Sequence, residues 1–141
     1  MIKDCLVVLD FGSQYAHLIA KRLRHIGFYT EIHSPATPVS KLARVRGLIL
    51  SGGPDSVNAL EAPVFNEKLL DLDVPILGLC YGHQLIAMHY DGAVANTGQG
   101  EFGKAFLQQI SESPLWEGIS FPAQVWMSHQ DSVIEIPHDF R

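Results

Sequence analysis

Cysteine is scarce. Cys5 and Cys80 are the only two in 141 residues, too few for a disulfide framework, and nothing implies an oxidising compartment. Charge is sparse as well. Charged residues make up 18 % of the chain, with 15 acidic against 10 basic side chains and a net charge of −5. That balance excludes a non-specific nucleic-acid binder or a binder of anionic membranes, which would carry a Lys/Arg stripe. Long hydrophobic runs are missing, and none approaches the ~18 residues of a membrane span. The N-terminus leads directly into Cys5-Leu6-Val7-Val8-Leu9 without a basic region or a small-residue cleavage site, so no secretory signal is expected. Internal repeats and low-complexity linkers are absent too. What is present is 47 % hydrophobic content, enough for a folded core. The expectation is one soluble cytoplasmic domain over residues 1–141.

The first half alternates strand and helix signals. Cys5 to Leu9 is a continuous aliphatic run, as expected of a strand buried on both faces. Ser13 is placed as an N-cap, after which Tyr15, Leu18, Ile19, Leu23 and Ile26 recur at helical spacing up to Gly27. Phe28 to Ile32 reads as a second strand, a short helix runs through Leu42, and Gly47 to Leu50 reads as a third strand. A helix is expected after Pro63, on Val64, Phe65, Leu69 and Leu70. Val74 to Leu79 gives a fourth strand and Gln84 to Tyr90 a further helix. This alternation implies a flavodoxin-like, open, mostly parallel α/β sheet with helices on both faces. Gly92–Asn96, Ala105–Ile110, Gln124–Met127 and Val133–Ile136 read as short strands of an antiparallel extension in the second half.

In such sheets ligands bind beyond the carboxyl ends of the strands. Those ends carry Asp10-Phe11-Gly12-Ser13, Ser51-Gly52-Gly53-Pro54 and Cys80-Tyr81-Gly82-His83. Gly78-Leu79-Cys80-Tyr81-Gly82 has glycines at −2 and +2 around a reactive residue, between strand and helix, which is the layout of a nucleophile elbow. A helix N-terminus there is expected to lower the Cys80 pKa and to offer N–H groups to an oxyanion. Cys5, in an aliphatic strand without flanking glycines, is expected to be packing only. The histidines, at 17, 25, 33, 83, 89, 129 and 138, include no H-x-x-x-H pair, so no metal site is expected.

Ser51-Gly52-Gly53-Pro54-Asp55-Ser56 has the letters of an ATP-pyrophosphatase phosphate loop. An oxyanion loop is the better reading. Pro54 removes an N–H from a would-be phosphate cradle, and the loop follows the third strand ahead of a cysteine elbow.

Taken with these motifs, Asp10-Phe11-Gly12-Ser13-Gln14-Tyr15 and Val125-Trp126-Met127-Ser128-His129-Gln130-Asp131 complete a set that resembles the class I (triad-type) glutamine amidotransferases, nearest to the amidotransferase domain of GMP synthetases. The motifs run in family order over nearly the whole chain. The resemblance implies that Cys80 attacks the side-chain amide of glutamine, with Gly53 and Tyr81 N–H groups forming the oxyanion hole. It implies that Gln84, Ser128 and the backbone around Gln130 and Asp131 hold the amino-acid end of the substrate. Ammonia would pass to an ATP-pyrophosphatase synthetase domain or subunit that aminates XMP. No cofactor is implied for the amidotransferase domain itself, ATP and Mg belonging to that partner.

Three departures stand out. The Phe-His-Pro-Glu segment that supplies the family's triad His and Glu does not occur, so the domain is expected to be C-terminally incomplete and inactive alone. Gly100 stands where Arg is common, and Gln130 where Gly is common. The competing readings are a non-catalytic binding or regulatory module that keeps the fold, and a flavodoxin-like cysteine hydrolase. The second gives no reason for the Ser51 loop or the Trp126-to-His129 run.

Overall fold

The computed structural model describes residues 4–42, 44–53, 56–109 and 111–141. Pro54 and Asp55 of the glycine-rich loop, and Ile110 at the end of an expected strand, lie outside the described residues. Four parallel strands, β1 (Cys5–Leu9), β2 (Thr30–His33), β3 (Val45–Leu50) and β4 (Ile76–Gly78), form one sheet in the order β2-β1-β3-β4. Helix α1 (Tyr15–His25) follows β1, and α2 (Tyr81–His89) follows β4.

Side chains that alternate along β1 and β3 divide between two cores. Val7, Leu9, Leu48 and Leu50 pack with Phe11, Leu69 and Tyr81, and Leu85 and Ile86 of α2 join this side. Val8 points the other way, onto Ala16 and Ala20 of α1, with Ile32 and Ile49 beside it. Small residues at those two positions let α1 lie close to the sheet. Helices therefore cover both faces, as the strand-helix alternation requires.

Several boundaries differ from expectation. The N-cap of α1 is Gln14, while Ser13 sits one residue earlier and its Oγ accepts the Tyr15 N–H at 3.3 Å. Helix α2 starts at Tyr81, ahead of Gln84, because the elbow turns directly into it. The helix expected after Pro63 is only a 3₁₀ turn, Glu67–Leu69. Asn66 explains this: its N–H bonds the Pro35 carbonyl and its side chain donates to the Thr37 carbonyl, which holds the backbone extended just before the turn.

The second half is the larger correction. The four short strands are two long ones, β5 (Ala93–Leu107) and β6 (Ala123–Glu135), paired antiparallel as a two-stranded ribbon of their own. The glycines read as strand ends are irregularities inside β5, where the register shifts between Asn96 and Glu101 and where Gly98 and Gly103 take positive φ. Gly98, Gly100 and Gly103 also spell the G-x-G-x-x-G of a dinucleotide loop. Within β5 they open no helix, so the phosphate-binding context is missing. Among the described residues, no helix is long and apolar enough to cross a membrane.

Candidate active site

The loops that leave β1, β3 and β4 meet at one end of the sheet, as expected. A Cβ placed on Gly52 would lie 3.5 Å from Cβ of Cys80 and 3.9 Å from Oγ of Ser13. On Gly53 it would lie 3.1 Å from the Phe11 carbonyl oxygen and 3.3 Å from Cγ of Tyr81. A Cβ at Gly52 would make ordinary contacts, while one at Gly53 would crowd the Phe11 carbonyl and the Tyr81 ring, so the β3 loop lies tightly against the other two. Ser51, fully buried, joins them. Its Oγ accepts the Phe11 N–H at 3.2 Å, and its carbonyl accepts the Gly82 N–H at 3.2 Å.

The elbow is built as the Gly-x-Cys-x-Gly spacing requires. Cys80 sits at the N-cap of α2 with φ 52° and ψ −112°, a conformation that L-residues avoid and that nucleophile turns impose. A side chain at Gly78 would meet the Gly82 carbonyl carbon at 2.7 Å and the His83 nitrogen at 2.6 Å. One at Gly82 would collide with the Leu50 carbonyl oxygen of β3. Both glycines are thus explained by backbone crowding.

The thiol of Cys80 is exposed and Cys5 is buried in β1, so the two cysteines separate as their sequence contexts indicate. The Cys80 Sγ lies 3.8 Å from the Ser128 carbonyl oxygen of β6, toward which the thiol donates. Its electrostatics correct the expectation of a lowered pKa. Burial of the sulfur flank pushes the thiol up, and the Tyr81 backbone N–H works the other way without reversing it. Among the described residues, no imidazole nitrogen hydrogen-bonds this sulfur. We therefore expect iodoacetamide modification of Cys80, followed by peptide mass mapping, to keep accelerating with pH past the point where an ordinary thiol has levelled off. A midpoint below the ordinary thiol value would contradict the upward shift.

Beside the elbow, burial and the neighbouring His129 push the His83 imidazole below its usual range, which favours the neutral ring. His129 places Nδ1 2.9 Å from the Asp131 carbonyl oxygen and Nε2 3.2 Å from Oε2 of Glu101, across the ribbon. Gln84, buried on α2, donates Nε2 to the Asp131 carbonyl at 2.7 Å. Asp131 is itself buried, and its carboxylate accepts the Ser56 hydroxyl. Ser128 and Gln130 point to the exposed side of β6. The structure thus brings Cys80, Gly53, Tyr81, Gln84, Ser128 and Asp131 to one corner, with Gln130 on the strand between the last two. Ser51 and Ser56, which organise that corner, appeared in the sequence only as letters of a motif. An open groove of about 650 Å³ runs past Arg24, Tyr29 and Glu31 along β2, at the other edge of the sheet from β4.

The profile of the family described as Glutamine amidotransferase class-I matches residues 7–141. The chain belongs to this family. Among curated relatives, the chain is similar to a GMP synthase [glutamine-hydrolyzing] of Helicobacter pylori (strain Shi470), at 48 % identity over 137 residues, covering 96 % of this chain and 27 % of that protein. It is similar to a probable GMP synthase [glutamine-hydrolyzing] of Leptospira interrogans at 45 % over 142 residues, covering 99 % of this chain and 24 % of the relative. The chain spans about a quarter of the length of these relatives. Among solved structures, a putative GMP synthase subunit from Thermoplasma acidophilum superposes with a TM-score of 0.82 at 29 % identity, covering 99 % of this chain and 71 % of the other. A glutamine amido transferase from Methylobacillus flagellatus shares the fold, with a TM-score of 0.68 at 19 % identity over 97 % of this chain and 59 % of the other. The class I match extends through all of the strand-end loops and the ribbon segment around Ser128.

Proposed function

We propose that this amidotransferase chain carries the glutamine-hydrolysing half-reaction of a GMP synthase-like protein. The observation that carries the reading is Cys80, held at φ 52° on the N-terminus of α2 with Gly52 packed against it. In this reaction the Cys80 thiolate adds to the side-chain carbonyl carbon of glutamine. The carbonyl oxygen takes up negative charge between the Gly53 and Tyr81 N–H groups. The C–N bond then breaks, ammonia leaves with the added proton, and a glutamyl thioester remains on Cys80. Water cleaves the thioester, and glutamate and the thiol are restored. Gln84, Ser128 and the backbone at Gln130 and Asp131 form the wall against which the amino-acid end rests. The half-reaction uses no metal or cofactor of its own. ATP and Mg serve a synthetase domain or subunit that receives the ammonia and aminates XMP.

The proton transfers need a base. The sequence has no Phe-His-Pro-Glu segment, and general acid–base assistance is typically worth ~10²–10⁴-fold. The 141-residue chain is therefore expected to take a chloroketone analogue of glutamine covalently at Cys80, while releasing ammonia from glutamine ~10²–10⁴-fold more slowly than a complete triad enzyme. Ammonia release at the full rate would overturn this account of the base. The upward push on the Cys80 thiol, with no imidazole bonded to it among the described residues, favours a second reading, a non-catalytic module that keeps the fold. That reading requires no adduct at Cys80.

A further inference from the structure

The loop that carries Gly53 needs something to hold it. On the β3 side it continues from the buried Ser51; on its far side Ser56 and Asn58 are tied to the ribbon. The Ser56 hydroxyl donates to Oδ2 of Asp131, its Oγ accepts the Asn58 N–H at 3.2 Å, and the Asn58 side chain donates to the Val94 carbonyl at 3.2 Å. Asp131 is 7 % exposed, and its carbonyl oxygen accepts from Gln84 and His129. One residue of β6 thus links the oxyanion loop through its carboxylate and the elbow helix α2 through its main chain. A buried carboxylate is unfavourable unless it is hydrogen-bonded, and this one spends a bond on a loop hydroxyl 75 residues away in sequence.

We propose that Asp131 is a positioning residue: its carboxylate, through Ser56, fixes the Gly52-Gly53 loop against the Cys80 elbow and so sets where the Gly53 N–H points. This rests on the reading of Gly53 as an oxyanion donor. The effect falls on charge stabilisation during attack, and less on initial binding.

The test follows adduct formation at Cys80 of the 141-residue chain, at alkaline pH where the thiolate forms without a base. In that reaction the thiolate displaces chloride from the chloroketone while the ketone oxygen occupies the oxyanion site. Iodoacetamide, which lacks the amino-acid anchor, reports the bare reactivity of the thiol. Asp131→Ala and Ser56→Ala are each expected to lower the maximal chloroketone rate by about tenfold or more, and in Ser56→Ala, which lies outside the wall that holds the amino-acid end, the half-saturating concentration and the iodoacetamide rate should be little changed. The double variant should be no slower than the slower single one, since both remove the same link. Asp131→Asn, whose amide oxygen still accepts from Ser56, should recover to within about threefold of the parent.

An unchanged maximal rate in Asp131→Ala or Ser56→Ala overturns the proposal. So does an equal fall with both reagents, or an effect confined to half-saturation. If Asp131→Ala does not fold, Ser56→Ala decides. A parent chain that reacts with iodoacetamide at Cys80 but not with the chloroketone would instead sink the oxyanion reading itself, whatever the variants do.

Discussion

Gly82→Ala is expected to be among the most damaging single-methyl additions in the molecule. The new Cβ would press into the Leu50 carbonyl oxygen and lie 2.5 Å from the Leu50 Cβ, and Leu50 is fully buried in an interior strand. Helix α2 cannot back away cheaply. The Gly82 N–H is bonded to the Ser51 carbonyl at 3.2 Å, while Tyr81, Leu85 and Ile86 pack into the same core as Leu50. Overpacking of a core typically costs about 1–3 kcal/mol, and a collision with backbone belongs at or above the top of that range. A loss of about 3 kcal/mol lowers the melting temperature of a domain of this size by about 10 °C. Gly27→Ala is the comparison: nothing lies within 4 Å of its Cβ position, so only the cost of φ 99° applies there. Thermal unfolding followed by circular dichroism separates the two. Equal melting temperatures would mean that α2 does not sit on β3 as described.

The second large effect is a trade between function and stability at Cys80. Cys80→Gly is expected to abolish adduct formation and yet raise the melting temperature. A residue held at φ 52° and ψ −112° stores about 1–3 kcal/mol, which glycine releases. Glycine gives back about 0.5–1 kcal/mol through the greater freedom of the unfolded chain. The balance is about 1 kcal/mol of added stability, or about 3–5 °C. Cys80→Ala loses the adduct equally but keeps its Cβ, so it should melt close to the parent. If the glycine variant melts below the alanine variant, strain is not what distinguishes this position.

Features set by neighbours in sequence were legible from the residues alone. The aliphatic runs at Cys5–Leu9 and Gly47–Leu50 have no polar face to solvate, so they had to be interior strands. The 3.6-residue period after Tyr15 needed a sheet to cover it. Glycines two residues either side of Cys80 pointed to the turn because two backbones must pass there. What failed had causes at a distance. Asn66 reaches back to Pro35 and Thr37 to undo a helix that its own segment favours. Glycines in β5 look like strand ends until the partner strand β6 shows that pairing continues past them. The thiol went up rather than down because the helix terminus was visible in the sequence and the surrounding burial was not. The Ser56–Asp131 link spans 75 positions and leaves no local trace.

Ser51 carries a final consequence. Its hydroxyl faces inward, accepting from Phe11 and donating to the Gly52 carbonyl at 3.0 Å, with no surface left open to solvent. A kinase could not reach that oxygen, nor could a phosphate ligand. Ser51 therefore serves the corner as an internal brace between the β1 and β3 loops, its hydroxyl already committed at both ends.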